Sequence, residues 1–152
     1  MENSEPSRVE REQPGVTAEQ PQEELRASPP WLAAVRAAET KKATDICVLD
    51  LRGVAFFADY FFICTGSNPR QIQAIADEIA LRLKHQGELP LSLEGYQNAE
   101  WILVDYGDYL VHILSEKARA YYDLERLWRH AKQVKIPLVM PGPAKQPHRP
   151  IT

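Results

Sequence analysis

The sequence predicts an α/β (α+β) fold, a mixed β-sheet of about five strands with helices packed on it. Three observations carry that prediction. Residues 101–114 read as two apolar runs, Trp101–Asp105 and Tyr109–Leu114, folded back across Tyr106-Gly107-Asp108. Gly supplies positive φ at the tip without steric cost, and an Asp beside it can bond nearby backbone amides. Ile72, Ile75, Ala76, Ile79, Ala80 and Leu83 recur at three- and four-residue spacing, the stripe of a helix that covers a sheet. Tyr60–Thr65 is an apolar run with little alternation, as expected of a strand buried on both faces.

Taken in order, the first element is a helix from Pro30 to about Lys42. Ser28 can cap it, Pro is tolerated in its first turn, and Leu32, Val35 and Ala38 point inward. Ile46–Leu51 is the first strand, Gly53 marks a turn, and Tyr60–Thr65 is the second strand. Ser67 or Asn68 then caps the striped helix, Pro69 opens it, and Gly87 stops it. A short strand at Leu89–Leu93 precedes Glu94-Gly95. The hairpin follows, its aromatic and β-branched residues suited to a pleated surface. Ser115 caps a last helix running to about Lys132. The order α-β-β-α-β-β-β-α is that of a mixed sheet with helices against it.

At 152 residues the chain fits one domain with a real core, but its ends differ from its middle. Of 12 prolines, five lie in residues 1–30 and five in residues 137–150. The expected folded body is residues 30–136, between an acidic, Pro-rich disordered tail at 1–29 and a second Pro-rich disordered tail at 137–152. Residues 1–30 hold seven acidic and three basic side chains, residues 31–136 hold 14 and 13, and the last 16 residues add Lys145 and Arg149. A body at net −1 lacks the cluster of Lys and Arg that grips a phosphate backbone, so little direct contact with nucleic acid is expected. The longest apolar stretch, Val54–Ala58 and Tyr60–Cys64, is split by Asp59 and falls short of a membrane span. An acidic N-terminus without a signal peptide, and two cysteines (Cys47 and Cys64) without Cys-x-x-Cys spacing, point to buried thiols and a cytoplasmic location.

Catalytic chemistry has two weak candidates. Gly66-Ser67, a turn between a strand and a helix, resembles the phosphate-holding turn of nucleotidyltransferases. Those enzymes also need an Asp-x-Asp pair on one strand face to share metal ions, and here Asp105 and Asp108 are three apart across a turn. The simpler reading of Gly66-Ser67 is a helix cap. A hydrolase built from Ser67, His112 and Asp105 lacks the Gly-x-Ser-x-Gly context, and a lone His in a strand is usually structural. His85 and His130 read as solvated. No cofactor and no metal are expected, because no His, Cys and carboxylate residues share metal-ligand spacing. What remains is aromatic surface: Trp101, Tyr106, Tyr109, Tyr121, Tyr122 and Trp128 crowd into 28 residues. Most such residues cover a sheet, yet exposed Trp and Tyr are also favoured interface anchors.

The Asp45–Leu51 strand, Ala58-Asp59-Tyr60-Phe61, Cys64-Thr65-Gly66-Ser67, Glu94-Gly95, Trp101–His112 and Arg119-x-x-Tyr122-x-Leu124-Glu125-x-Leu127-Trp128 together resemble the ribosomal silencing factors, the RsfS or Iojap-like family. The resemblance spans Asp45 to Ala131 and leaves out the tails. It implies a non-enzyme with a nucleotidyltransferase-like fold lacking the catalytic carboxylates. It also implies binding to the large ribosomal subunit through that subunit's fourteenth protein, which blocks the small subunit by occupying space and represses translation. Within the family the hairpin tryptophan, matched by Trp101, is implicated in that contact. Proximity and chemistry extend the candidate set to Tyr106, Asp108, Arg119 and Tyr122. The same aromatic face is a candidate surface for a homodimer of the free protein. Two alternatives stay open, a nucleotide-using transferase built on Gly66-Ser67 and an assembly factor that touches ribosomal RNA.

Overall fold

The computed structural model describes residues 28–138, and the two tails expected at 1–29 and 137–152 lie almost entirely outside them. The first helix, α1, is Pro30–Thr40. Pro29 holds the N-cap position with no side-chain cap bond, so Ser28 is not the N-cap residue. Its buried side is wider than expected, taking in Trp31, Ala34 and Ala37 besides Val35 and Ala38, with Leu32 half-buried at the margin. Strand β1 is Thr44–Asp50 and β2 is Tyr60–Gly66. Helix α2, Pro69–His85, opens as its sequence demands: the Asn68 side chain accepts the Gln71 N–H at 2.8 Å and Pro69 follows. It closes in a Schellman arrangement, with Gly87 N–H donating to Lys84 O, Glu88 N–H to Leu83 O, and Gly87 at φ +84°.

Strand β3 is only Ser92–Glu94, three residues later in the chain than the expected Leu89 start. Strands β4 (Trp101–Asp105) and β5 (Tyr109–Ser115) form the hairpin, in the register Trp101↔Leu114 through Asp105↔Leu110. At its tip Gly107 takes φ +91°, and the carboxylate that holds its N–H, at 2.7 Å, is Asp105. Helix α3, Glu116–Tyr122, is capped by the Ser115 hydroxyl, which accepts the Ala118 N–H.

The last predicted helix does not run to Lys132. It stops at Tyr122, because Asp123 turns into the left-handed region at φ +46°, and a short helix α4, Leu124–Leu127, sets off in a new direction. The chain then returns as a sixth strand, β6, Lys132–Gln133, antiparallel to β1. The break lets Leu124 and Trp128 fold down onto the sheet, where a continuous helix would carry them along its own axis.

The sheet order is β3-β4-β5-β2-β1-β6. Among the described strands only β2 and β5 run parallel, and β2 sits inside the sheet, which explains its unbroken apolar run. Period-two alternation divides the side chains between two faces. One carries Val48, Phe62, Cys64, Ile102, Val104, Tyr109, Val111 and Ile113 under α1 and α2. The other carries Cys47, Leu49, Phe61, Ile63 and Leu114, with Ala118 and Leu124 of the C-terminal helices against them. Cys47 and Cys64 are therefore buried free thiols on opposite faces, and burial pushes both above the usual thiol range, to about 11 and about 12.

Candidate functional site

The second face is covered unevenly. Over β1 and β2 it lies beneath Ala118 and Leu124, whereas over β4 and β5 Trp101, Leu103 and Leu110 are only half-buried. Around that opening the structure assembles a chain of aromatic contacts. Trp128 meets Phe57 and Phe61 edge-on, each at 5.7 Å between ring centroids. Phe61 meets His112 at 4.4 Å, His112 meets Trp101 at 5.8 Å, and Trp101 meets Tyr122 at 4.6 Å. Tyr121 continues the chain at 4.9 Å from Tyr122. Its outer members are exposed, with Tyr121 at 79 %, Phe57 at 56 % and Tyr122 at 48 %. Phe56 projects fully from the β1–β2 connection. Contiguous exposed aromatic and apolar side chains of this kind are the usual mark of a docking surface.

Trp101 is the pivot. It is the first residue of β4, with its side chain on the open face beside a shallow cavity of about 270 Å³ that Glu94, Gly95 and Leu103 also line. Its indole N–H donates to Nδ1 of His112 at 3.1 Å. His112 is buried, and its pKa is lowered to about 4 because burial penalises the charged imidazolium.

The structure divides the five sequence-derived site residues. Trp101 and Tyr122 touch, and Arg119 lies one helical turn before Tyr122 on α3. Arg119 does not form an open rim, however. Its guanidinium donates to the Thr65 hydroxyl at 2.7 Å and to both carboxylate oxygens of Glu125, and its side chain is 13 % exposed. Those bonds hold the Glu125 carboxyl below its ordinary range, chiefly through the hydrogen bond from Arg119. Arg119 is thus a brace tying α3 and α4 to the end of β2. Tyr106 and Asp108 lie at the other end of the hairpin, about 16 Å along β4 from Trp101 at strand rise. Tyr106 packs against the helix-covered core, stacked on Tyr109 at 5.3 Å, and its hydroxyl is buried with no hydrogen-bond partner among the described residues. Asp108 is exposed at the turn, where its carbonyl accepts the Asp59 and Tyr60 N–H groups. Exposed Phe57, with buried Phe61 and His112 beneath, completes the aromatic chain, although aromatic crowding in the sequence does not point to these three. Phe61 and His112 meet through the pairing of β2 with β5, and Phe57 joins from the β1–β2 connection.

The catalytic candidates have other partners. Gln71 Oε1 accepts both the Ser67 N–H, at 2.6 Å, and the Ser67 hydroxyl, at 2.8 Å, so the Gly66-Ser67 turn directs its amide at its own helix. His112 Nδ1 is engaged by Trp101, and Asp105 by Gly107. His85 and His130 are exposed. Among the described residues no His, Cys, Asp and Glu side chains gather to hold a metal ion, and no helix is long and apolar enough to cross a membrane.

Residues 24–150 match the family model described as ribosomal silencing factor during starvation (RsfS), a span wider than the Asp45–Ala131 stretch of resemblance. A ribosomal silencing factor RsfS from Halalkalibacterium halodurans is 43 % identical over 103 residues, covering 68 % of this chain and 88 % of that protein. A more distant mouse relative, named mitochondrial assembly of ribosomal large subunit protein 1, is 30 % identical over 91 residues, 58 % of this chain and 40 % of its own length. A crystal structure of a protein from Chromobacterium violaceum superposes with a TM-score of 0.65 at 32 % identity, covering 72 % of this chain and 91 % of that one. With the fold, the ordered motifs and the family match all in agreement, the chain belongs to the RsfS/Iojap family of ribosomal silencing factors, regulators of translation.

Proposed function

We propose that the chain binds the large ribosomal subunit through the open half of its second sheet face, with Trp101 and Tyr122 as anchors. The contact is made to that subunit's fourteenth protein. The bound factor occupies the space the small subunit needs, and translation falls without any chemical step. The observation that carries this reading is the contact of a half-buried Trp101 on β4 with an exposed Tyr122 on α3, beside a part of the sheet that the described helices leave open. Large, rigid aromatic side chains at the centre of a patch are where interface energy concentrates. The mouse relative's name, with its large-subunit assembly, points to the same partner. The net charge of −1 over residues 31–136 suits a protein partner better than ribosomal RNA.

The same face is where a second copy would sit in a homodimer of the free protein, and ribosome binding would then compete with it. The transferase reading gains no support from the Gly66-Ser67 turn, whose Ser67 amide and hydroxyl both bond Gln71.

The experiment is sedimentation of intact ribosomes with the purified full chain. Co-sedimentation with large subunits and a shift toward free subunits is expected, with only a shallow dependence on salt. A steep loss of binding between low and physiological salt would favour an RNA-contacting assembly factor instead. Ribosomes that stay joined at saturating protein would overturn the proposed mechanism.

A further inference from the structure

We propose that His112 is a positioning residue for Trp101, presenting the indole in its docking orientation through the Trp101 N–H to His112 Nδ1 hydrogen bond. This rests on the reading of Trp101 as an anchor. It adds a residue that never reaches the partner, since His112 is buried on β5 beneath the aromatic chain.

The geometry leaves His112 no simpler role. Nδ1 accepts the indole N–H at 3.1 Å, so the single proton of the neutral ring sits on Nε2. Nε2 is buried and has no hydrogen-bond partner among the described residues. An imidazole kept in an apolar site for packing alone would be replaced without loss by a hydrocarbon, since a buried unpaired N–H is costly. Among the described residues, the one polar bond this ring makes goes to Trp101. Phe61 meets the imidazole edge-on at 4.4 Å and limits its rotation, while Tyr122 bounds the indole at 4.6 Å. The indole is thus held by a hydrogen bond through one edge and by a ring contact with Tyr122. His112 and Leu103 are direct cross-strand partners, so the acceptor is carried by the most regular part of the sheet. An anchor fixed before binding does not lose rotamer freedom on binding, and that preorganisation appears as affinity.

The test uses the uniformly ¹⁵N-labelled full chain and purified large ribosomal subunits. In the free wild-type protein, the His112 ring nitrogens are expected to show the Nε2-protonated tautomer, and the Trp101 indole N–H to exchange slowly. An Nδ1-protonated ring would overturn the proposal without any variant having to fold. His112→Leu removes the acceptor and is expected to free the indole N–H and weaken large-subunit binding by about tenfold. His112→Asn places an amide oxygen near the Nδ1 position and should restore most of the affinity and the slow exchange. Equal weakening by Leu and Asn would assign His112 to packing and overturn the proposal. Wild-type affinity in His112→Leu would do the same. Trp101→Ala, run in parallel, separates the two layers: unchanged binding there refutes Trp101 as the anchor, whereas the tautomer and exchange measurements judge the His112–Trp101 bond itself.

Discussion

A β-carbon on Gly95 would lie 2.1 Å from the carbonyl oxygen of Trp101, inside any real contact distance. Gly95 also holds φ +82°, in the region that only glycine enters freely. Its carbonyl accepts the N–H of Ala99, which is itself at φ +53°. The chain therefore makes a tight loop between β3 and β4 whose closing point is the backbone of the proposed anchor.

Gly95→Ala should accordingly destabilise the fold by about 3 kcal/mol or more, combining left-handed strain with a clash against backbone that has no flexible end to move. Gly53 is the internal control, because it has nearly the same φ, +83°, but open space around it. Gly53→Ala should cost only about 1 kcal/mol. Urea denaturation of both variants checks the difference, and equal losses would remove the close approach as its cause.

Trp101→Ala should weaken large-subunit binding by about 2 kcal/mol or more while leaving the sheet folded, because the side chain is only half-buried at the margin of the second core. Tyr122→Ala should cost about 1 kcal/mol, since it loses its own contact and the ring that bounds Trp101. The pair should be non-additive, as contacting residues are. Binding titrations of the two single variants and the double variant test this, and strictly additive losses would show that the two rings act separately.

Much of the fold was legible because local chemistry and tertiary structure agree. The stripe from Ile72 to Leu83, the Asn68 and Ser115 caps, and the turn at Gly107 depend on neighbours a few residues away. The helix expected to run to about Lys132 gives way to β6 because the strand character of Lys132–Gln133 comes from β1, more than 80 residues earlier, and from Val134 donating to Val48 O. The site behaves likewise. Aromatic crowding and family resemblance single out Trp101 and Tyr122, which the structure brings into contact. Phe57 and Phe61 are not singled out that way: the unbroken apolar run of β2 hides that Phe61 shares a face with His112 of β5, and Phe57 reaches Trp128 from the β1–β2 connection. Tyr106 and Asp108 were grouped with Trp101 through nearness along the chain, but a strand carries its two ends far apart and alternation sends Tyr106 to the other face.

The Arg119 brace predicts an acid-sensitive contribution. Glu125 has its pKa lowered in the folded state, so its stabilisation is fully present above the unfolded value near 4.5 and is lost as pH falls through the folded value. Since the Glu125 side chain is 39 % exposed, solvent screening limits the contribution to about 1 kcal/mol. Glu125→Gln should be less stable than wild type at pH 7, and the two should converge as pH falls below 4.5. A gap that stays constant into acid would mean that the carboxylate charge is not what Arg119 holds.

His112 makes the opposite use of burial, in a different pH window. Its folded pKa, about 4, lies below the unfolded value of 6.5, so between those values the unfolded chain binds the extra proton and the folded one does not. Stability is therefore full above pH 6.5 and declines as pH falls from 6.5 toward 4, by an amount on the order of 3 kcal/mol if the whole shift is expressed. Protonation would also place donors on both ring nitrogens and leave the Trp101 indole N–H without its acceptor. Unfolding free energies measured from pH 7 to 4 should show this slope in wild type and lose most of it in His112→Leu. The exposed His85 and His130 remain in that variant, so a slope that persists unchanged would move the titration away from His112.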